Sequence, residues 1–226
     1  MCIRDRLREA RYHAVGPLLS AFKDGWPEEV RKKAREVLDV LTGDLIEALK
    51  GSDRNLRRKA AEALGEIGDG RAADPLAERL GDRDRSVRMA AATALSKMGD
   101  GRGIRFLFSA LGSRDEVVRI HAIRALVDAG DAVVPELRKG LRDPNFLVRC
   151  GSAIVLGENR VREAVPDLIE ALGDSVASVR MDAAVALGKI GSSEALSALR
   201  KLAKDPDATV AYYANWAIEK IYRRKG

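Results

Sequence analysis

The sequence predicts an all-α fold, a right-handed α-α solenoid of about six to seven two-helix repeats. Three observations lead to this prediction. A short motif returns about every 31 residues, Asp and Gly recur at fixed offsets from it, and aromatic residues make up only 4% of an alanine-rich chain. Small residues favour close-packed short helices, whereas a β-sandwich or barrel would need more β-branched and aromatic residues.

Each repeat is anchored by an apolar residue followed by arginine. Three residues beyond the arginine lies a small residue and seven beyond lies an aliphatic one, which is the spacing of one buried helix face. The anchors are Leu56-Arg57, Val87-Arg88, Val118-Arg119, Val148-Arg149, Val179-Arg180 and Val210-Ala211, at spacings of 31, 31, 30, 31 and 31 residues. An earlier pair, Val30-Arg31, precedes the first of them by 26 residues.

Each repeat is predicted to contain two short antiparallel helices. The second begins after an Asp or Asn four residues before the anchor arginine, whose side chain can accept from the free N–H groups of a first turn. It ends at a glycine, which adopts the left-handed conformation at low cost. The predicted caps are Asp53, Asp84, Asp115, Asn145 and Asp207, and the predicted glycines are Gly68, Gly99, Gly130 and Gly191. The first helices carry the leucine pairs Leu45/Leu49, Leu76/Leu80, Leu107/Leu111, Leu137/Leu141 and Leu168/Leu172.

Residues 7–226 are predicted to form a single repeat domain that starts with a helix over about residues 7–15. Residues 193–226 are predicted to be its C-terminal cap, because Ala211 replaces the anchor arginine and Asn215 is polar where other repeats are apolar. Residues 1–6, Met-Cys-Ile-Arg-Asp-Arg, resemble a translated sequencing adapter more than the start of a natural domain. That segment is therefore expected to lie outside the native fold.

The repeat motif resembles a known family. Residues 53–76, with the sequence DRNLRRKAAEALGEIGDGRAADPL, and their recurrences at 84–107 and 176–199 are similar to the HEAT-like repeats first described in bilin (phycobilisome) lyases. The resemblance extends from Pro17 to Ile221 and implies a HEAT-like superhelix. It leaves the function open, because that family includes lyase subunits, chaperone-like factors of the phycobilisome and binding proteins.

The charge distribution argues against a nucleic-acid partner. The net charge of +6 is made up of +2 in residues 1–15 and +3 in residues 216–226, which leaves +1 for the repeats between them. A groove that follows phosphates should concentrate its basic residues in the body of the domain. No run of 18 uncharged apolar residues exists, so no membrane-spanning helix is predicted. With two cysteines and no disulfide framework, a cytoplasmic location is expected.

The helical angles of the residues after each anchor predict a binding surface. Positions +1, +2, +5 and +9 after the anchor arginine lie opposite the core, and in the resembled family this side lines the concave surface. Its residues are charged in the first repeats and become mixed and then apolar from Met89 onward. The predicted partner-binding residues are Met89, Thr93, Ile120, His121, Arg124, Ile154, Met181, Val185, Tyr212, Tyr213 and Trp216.

Two interpretations of this stripe stay open. An apolar stripe with a charged rim at position +9 is typical of a surface that binds a protein, with Met and aromatic residues as anchors. Alternatively, these side chains of successive repeats only cover one another. In that case Tyr212, Tyr213 and Trp216 finish the last repeat.

Few residues could catalyse a reaction or bind a metal ion. The anchor arginines, with Asp82, Asp143 and Asp174 six residues before three of them, are interpreted as a structural ladder. His121 and Cys150 have no companion residues at ligand spacing, so neither a metal nor a cofactor is predicted. Di-iron hydroxylases of HEAT-like architecture need paired His-Glu motifs that this chain does not supply.

The predicted function is a non-catalytic, monomeric scaffold that binds a partner protein on its concave surface. The alternative is a bilin lyase or chaperone-like subunit, because an apolar surface could hold a tetrapyrrole. A nucleic-acid binder is a third and less favoured hypothesis.

Overall fold

The computed structural model describes residues 15–20 and 27–223. All regular structure in these residues is helical. The chain divides into two compact units, Met1–Phe106 and Leu107–Gly226, and each is described by itself below. The segment at residues 1–6 and most of the predicted leading helix lie outside the described residues, although Val15 at its end is helical and buried.

The helices of the first unit follow the predicted pairs from the second repeat onward. Residues 15–20 (α1) are followed by α2 (Glu28–Ala48), α3 (Arg54–Ile67), α4 (Ala73–Glu78) and α5 (Arg85–Lys97). The division between the units falls within α6 (Gly101–Leu111). A 3-10 turn at Gly70–Ala72 leads into α4.

The second unit continues the same alternation of helices. It contains α7 (Glu116–Asp128), α8 (Val134–Gly140), α9 (Phe146–Glu158), α10 (Val165–Ala171), α11 (Ala177–Ile190), α12 (Leu196–Leu202) and α13 (Ala208–Arg223). The short helices α8, α10 and α12 each follow a 3-10 turn, and the longer helices α9, α11 and α13 pack side by side in chain order.

The predicted capping side chains begin the longer helices. Asp53 accepts from the backbone N–H of Asn55, and the carboxylates of Asp84, Asp115 and Asp207 accept from two N–H groups each. Asn145 caps α9 through the N–H of Leu147. Helices α2 and α11 are exceptions, because Pro27 and Val176 stand at their cap positions and no side chain accepts a hydrogen bond there.

The predicted C-terminal glycines all have positive φ angles, between 63° and 80°. Each lies eleven residues after the anchor arginine, and the fifth such position is held by Arg160, which has a φ of 52°. Only glycine adopts this region without a steric cost, so Arg160 is strained.

Replacing Arg160 by glycine is therefore expected to raise the free energy of unfolding by about 1 kcal/mol. Urea denaturation of the two proteins measures the difference. Arg162→Gly is a suitable control, because Arg162 is also exposed but begins a 3-10 turn and lies outside the positive-φ region. Equal effects of the two substitutions would show that strain at position 160 is not the cause.

The first predicted repeat differs from the prediction. The helix that carries its anchor, Val30-Arg31, runs on into the predicted first helix of the next repeat, which carries Leu45 and Leu49. Together they form the uninterrupted 21-residue α2 with Leu49 as its C-cap. The position eleven residues after Arg31 holds Thr42, which is buried and donates its hydroxyl to the carbonyl of Leu38. A β-branched residue resists the left-handed conformation that would end the helix, so the helix continues.

The core consists of the predicted leucine rows and of small residues between neighbouring helices. The large side chains that are fully buried include Leu49, Leu64, Leu76, Leu95, Leu107, Leu111, Leu126, Leu137, Leu156, Leu168, Leu187 and Leu199. Glycines eight residues after the arginine abut alanines of the next long helix. A Cβ on Gly157 would lie 2.8 Å from that of Ala186. The last helix differs from the prediction that the aliphatic residue seven positions after the anchor is buried. In α13, Ala217 and Ile221 are buried, while Ile218 at that position is half-buried.

Candidate functional site

The anchor arginines Arg57, Arg149 and Arg180 form a structural ladder, but each binds a carboxylate 25 residues after it, and the aspartates six residues before Arg149 and Arg180 contribute only their main-chain carbonyls. Arg149 donates to both carboxylate oxygens of Asp174 at 2.7 and 3.0 Å, and Arg180 donates likewise to Asp205 at 2.8 and 2.9 Å. Each arginine also donates through Nη1 to the carbonyl groups five and six residues before it. Asp174 thus binds Arg149 with its carboxylate and Arg180 with its main-chain carbonyl.

The open grooves near this ladder do not form an independent site. One cleft in the second unit is lined by Arg142, Asp167, Glu170 and the Arg149–Asp174 pair. Arg142 donates to both Asp167 and Glu170, so the charged side chains along this cleft bind one another. Among the described residues, no group of three or more His, Cys, Asp or Glu side chains lies close enough to hold a metal ion.

The predicted stripe lies on one face of the long helices. In the second unit it is formed by α7, α9, α11 and α13, and we call it the α7–α13 face. Its predicted residues are Ile120, His121, Arg124, Ile154, Met181, Val185, Tyr212, Tyr213 and Trp216. On α11 the stripe residues Met181 and Val185 are half-buried while the core positions on either side of them are buried.

Exposure varies along the α7–α13 face. Ile120 is 41% exposed and Tyr212 63%, and His121 and Arg124 are also exposed. Met181, Val185, Tyr213, Trp216 and Ile154 are half-buried. The face therefore presents apolar area to solvent at both ends and has a partly covered centre.

Two predicted residues belong to the first unit. Met89 and Thr93 lie on α5 and are half-buried. The Thr93 hydroxyl donates to the carbonyl of Met89 at 2.8 Å, so its hydrogen-bonding capacity is used within the helix. His121 on α7 is similarly engaged, with its Nδ1 at 2.7 Å from the carbonyl of Val117.

Three aromatic residues of α13 form a connected cluster. The rings of Tyr212 and Tyr213 meet edge to face with centroids 5.2 Å apart, and those of Tyr213 and Trp216 lie 6.5 Å apart. The Lys220 ammonium group lies 5.6 Å from the Trp216 ring centroid. Trp216 also packs on Gly188, where a Cβ would come within 2.8 Å of the indole. Trp216 therefore helps to attach α13 to α11, whereas Tyr212 contributes little to the core.

The charged rim at position +9 is paired between repeats. Lys189 on α11 donates to Glu158 on α9 at 2.6 Å, and in the first unit Lys97 donates to Glu66 at the same distance. Both pairs are separated by 31 residues, which is one repeat.

The centre of the α7–α13 face contains a thiol and a carboxylate. Cys150 on α9 lies beside Asp182 on α11, and each side chain shifts the pKa of the other. Burial, together with the nearby Asp182, raises the pKa of Cys150 well above its usual range, so the thiol stays neutral. Burial also raises the pKa of Asp182 from 3.8 to about 6, although Cys150 and Lys189 oppose the shift.

Replacing Asp182 by asparagine is expected to raise the free energy of unfolding by about 1–2 kcal/mol at pH 8, after allowance for its partial exposure. The folded chain binds the Asp182 proton more tightly than the unfolded chain does. Stability therefore falls as the pH rises from about 4 to about 6, and the whole penalty is present above pH 6. Urea unfolding at pH 4 and pH 8 should show a gain at pH 8 alone. A gain of equal size at both pH values would contradict this origin.

The sequence interpretation missed one residue of this face. Val117 on α7 is 49% exposed and lies two residues before the anchor arginine. At about 100° per residue, position −2 has nearly the same helical angle as position +5. The helical angle of position −2 would therefore have identified Val117. It was missed because the predicted stripe included only positions after the anchor. Val117 extends the apolar end formed by Ile120.

No helix in the described part of the chain is long and apolar enough to cross a lipid bilayer. No curated protein sequence matches the chain significantly. Among solved structures, the archaeal HEAT-like repeats protein from Thermococcus onnurineus NA1 has a TM-score of 0.49 and 16% identity, over 99% of this chain and 98% of that chain. Human deoxyhypusine hydroxylase has a TM-score of 0.45 and 23% identity, over 98% and 99% of the two chains.

The CpcE–CpcF complex of phycocyanin lyase from Nostoc sp. PCC7120 is also similar, with a TM-score of 0.40 and 22% identity over 90% of this chain and 92% of that chain. A family model of HEAT repeats matches residues 43–127, 104–173 and 134–219, which together make up more than half of the sequence. The repeat period, the paired helices and this match lead to one conclusion: the chain belongs to the HEAT-repeat family, and its fold is an α-α solenoid.

Proposed function

We propose that the protein is a non-catalytic scaffold that binds a partner protein through the α7–α13 face. The observation that carries the proposal is the exposure of apolar and aromatic side chains on a helix face that the core does not use, with Tyr212 at 63% and Ile120 at 41%. Rigid aromatic side chains at the centre of apolar patches are frequent binding hot spots. We propose that Met89 and Thr93 on α5, in the first unit, also contact the partner.

The proposed setting is a reducing, cytoplasmic compartment, in which the protein acts as a monomer. The free thiol of Cys150 is in keeping with such a compartment. Its neutral form makes it a poor nucleophile, which supports a binding role for this face over a covalent one.

Substitution of face residues should abolish partner binding without unfolding the protein. Ile120→Asp and Tyr213→Ala are expected to reduce recovery of the partner at least 10-fold, since each removes apolar contact area. Affinity capture from native lysate, quantified by mass spectrometry, measures the recovery, and circular dichroism checks the helix content.

Two controls match these variants. Ser197→Asp adds a negative charge at an exposed position of α12. Tyr222→Ala removes a tyrosine that lies outside the face and is 48% exposed. Both should retain the partner. Equal losses from the controls would contradict the assignment of the face.

The alternative is a bilin lyase or chaperone-like subunit. It is favoured by the resemblance of residues 53–76 to repeats of that type and by the apolar character of the α7–α13 face. Titration of the purified protein with a bilin distinguishes the two functions. A change in the visible spectrum that Ile154→Asp removes would favour the bilin function, whereas an unchanged spectrum would favour the scaffold.

A further inference from the structure

Asp182 differs from the other buried carboxylates of the second unit. Asp167, Asp174 and Asp205 each accept hydrogen bonds from at least one arginine. Asp182 is half-buried at the centre of the α7–α13 face and, among the described residues, forms no ion pair. Its neighbour on α9 is the neutral thiol of Cys150.

The positive charge near this carboxylate compensates it only in part. From α9 it is faced by Cys150, and on its own helix Lys189 contributes a favourable charge. Lys189 itself donates to Glu158 at 2.6 Å, so its charge is shared with the rim. Among the described residues, no charged group on α10 or α13 shifts the pKa of Asp182. A charged group that destabilises the fold and lies on a binding face is typical of a functional residue.

We propose that Asp182 is the counter-ion for a lysine or arginine of the partner protein. Apolar side chains flanking that cation would pack on Ile154, Met181, Val185 and Tyr213. This inference rests on the proposed function and adds the chemistry of the partner to it.

A cation is favoured over a neutral donor at this position. A half-buried carboxylate gains most from a group of opposite charge, since a charge-assisted hydrogen bond is about twice as strong as a neutral one.

The opposite end of the face would not attract a basic side chain. His121 and Arg124 are exposed there, and no acidic residue belongs to the predicted stripe on α7 before Asp128 at its rim. The charge pattern therefore orients the partner, with its basic residue over α11 and away from Arg124. Such an arrangement gives specificity as well as affinity.

The test uses a displayed library of random peptides selected on the purified full-length chain at pH 7.5. Enriched peptides are expected to contain a lysine or arginine flanked by apolar residues. Their affinity should fall at least 10-fold for Asp182→Asn and for Asp182→Ser, and by less than 2-fold for the control Glu163→Gln, which changes an exposed carboxylate outside the face. Circular dichroism confirms that each variant is folded.

The pH dependence provides a second readout. Protonation of Asp182 removes the counter-ion, so wild-type affinity should be lower at pH 5 than at pH 7.5 and nearly independent of pH in Asp182→Asn. Replacing the basic residue of a selected peptide by norleucine should have the same effect as the Asp182 substitution, and the two changes together should cost no more than either one.

The possible failures are distinguishable. Peptides that lose binding to Tyr213→Ala or Ile154→Asp but lack basic residues and bind Asp182→Asn normally would overturn the counter-ion role and leave the proposed function standing. Failure to enrich any peptide, or enrichment of peptides that bind all face variants equally, would contradict the proposed function and the counter-ion role together.

Discussion

Replacing Arg57 by methionine is expected to lower the free energy of unfolding by about 3–5 kcal/mol. Arg57 donates to both oxygens of Asp82 at 2.8 and 2.9 Å, and to the carbonyls of Gly51 and Ser52 at 2.9 Å each. Both charged side chains are only 4% exposed. Methionine keeps the apolar stem but leaves the Asp82 carboxylate buried without its main counter-ion.

The cost should depend on pH. The hydrogen bonds from Arg57 hold the pKa of Asp82 below its ordinary value. A depressed carboxylate pKa contributes stability that is present above the unfolded value, about pH 4, and is lost as the pH falls through the folded value. The deficit of Arg57→Met should therefore shrink toward pH 3, as measured by denaturant unfolding at several pH values.

Arg88→Met is the matched control. Arg88 occupies the same repeat position and donates to the carbonyls of Asp82 and Arg83 at 2.7 and 3.2 Å, but it forms no ion pair with the described residues of the first unit. Its loss should cost about 1 kcal/mol. A double variant, Arg57→Met with Asp82→Leu, should recover part of the deficit, because it removes the uncompensated charge. Equal deficits for Arg57→Met and Arg88→Met would show that the buried pair adds no stability.

Removing residues 193–226 is expected to leave the remaining helices folded but to cause association or precipitation. We propose this segment as the cap of the solenoid, because α13 combines a polar, exposed side with an apolar, buried side, as a capping repeat requires. Asn215 and Lys220 on α13 are exposed, whereas Val210, Ala214, Ala217 and Ile221 are buried. Without α13, the surface of α11 around Gly188 would be exposed, and Arg180 would lose Asp205.

Circular dichroism and light scattering of the 1–192 chain, compared with full length, measure this outcome. The variant Tyr212→Ala in the full-length chain is the control, because Tyr212 is 63% exposed and its loss should leave the monomer intact. A monomeric truncated chain at high concentration would contradict the cap. It would leave Tyr212, Tyr213 and Trp216 with a purely functional role.

Much of the α7–α13 face could be predicted because a helix has a fixed angle per residue. The anchor arginine sets the reference, and its offsets separate the buried positions Val179, Ala183 and Leu187 from the half-buried positions Met181 and Val185. How far each side chain is covered could not be predicted in this way. Coverage depends on the neighbouring repeat, so Tyr212 and Tyr213 differ in exposure although they are adjacent in sequence.

The sequence by itself determined the repeat, the capping residues, the leucine rows and the helix face opposite the core, since each depends on spacing within one or two helices. Only the tertiary structure decided which partners meet across repeats. The Asp82 carboxylate pairs with Arg57, 25 residues earlier, and not with Arg88, six residues later. Asp182 lies beside Cys150 and, among the described residues, forms no ion pair. The physical reason is that the offset between neighbouring helices depends on how closely residues such as Gly157 and Ala186 pack. That packing cannot be predicted from the spacing of residues within one helix.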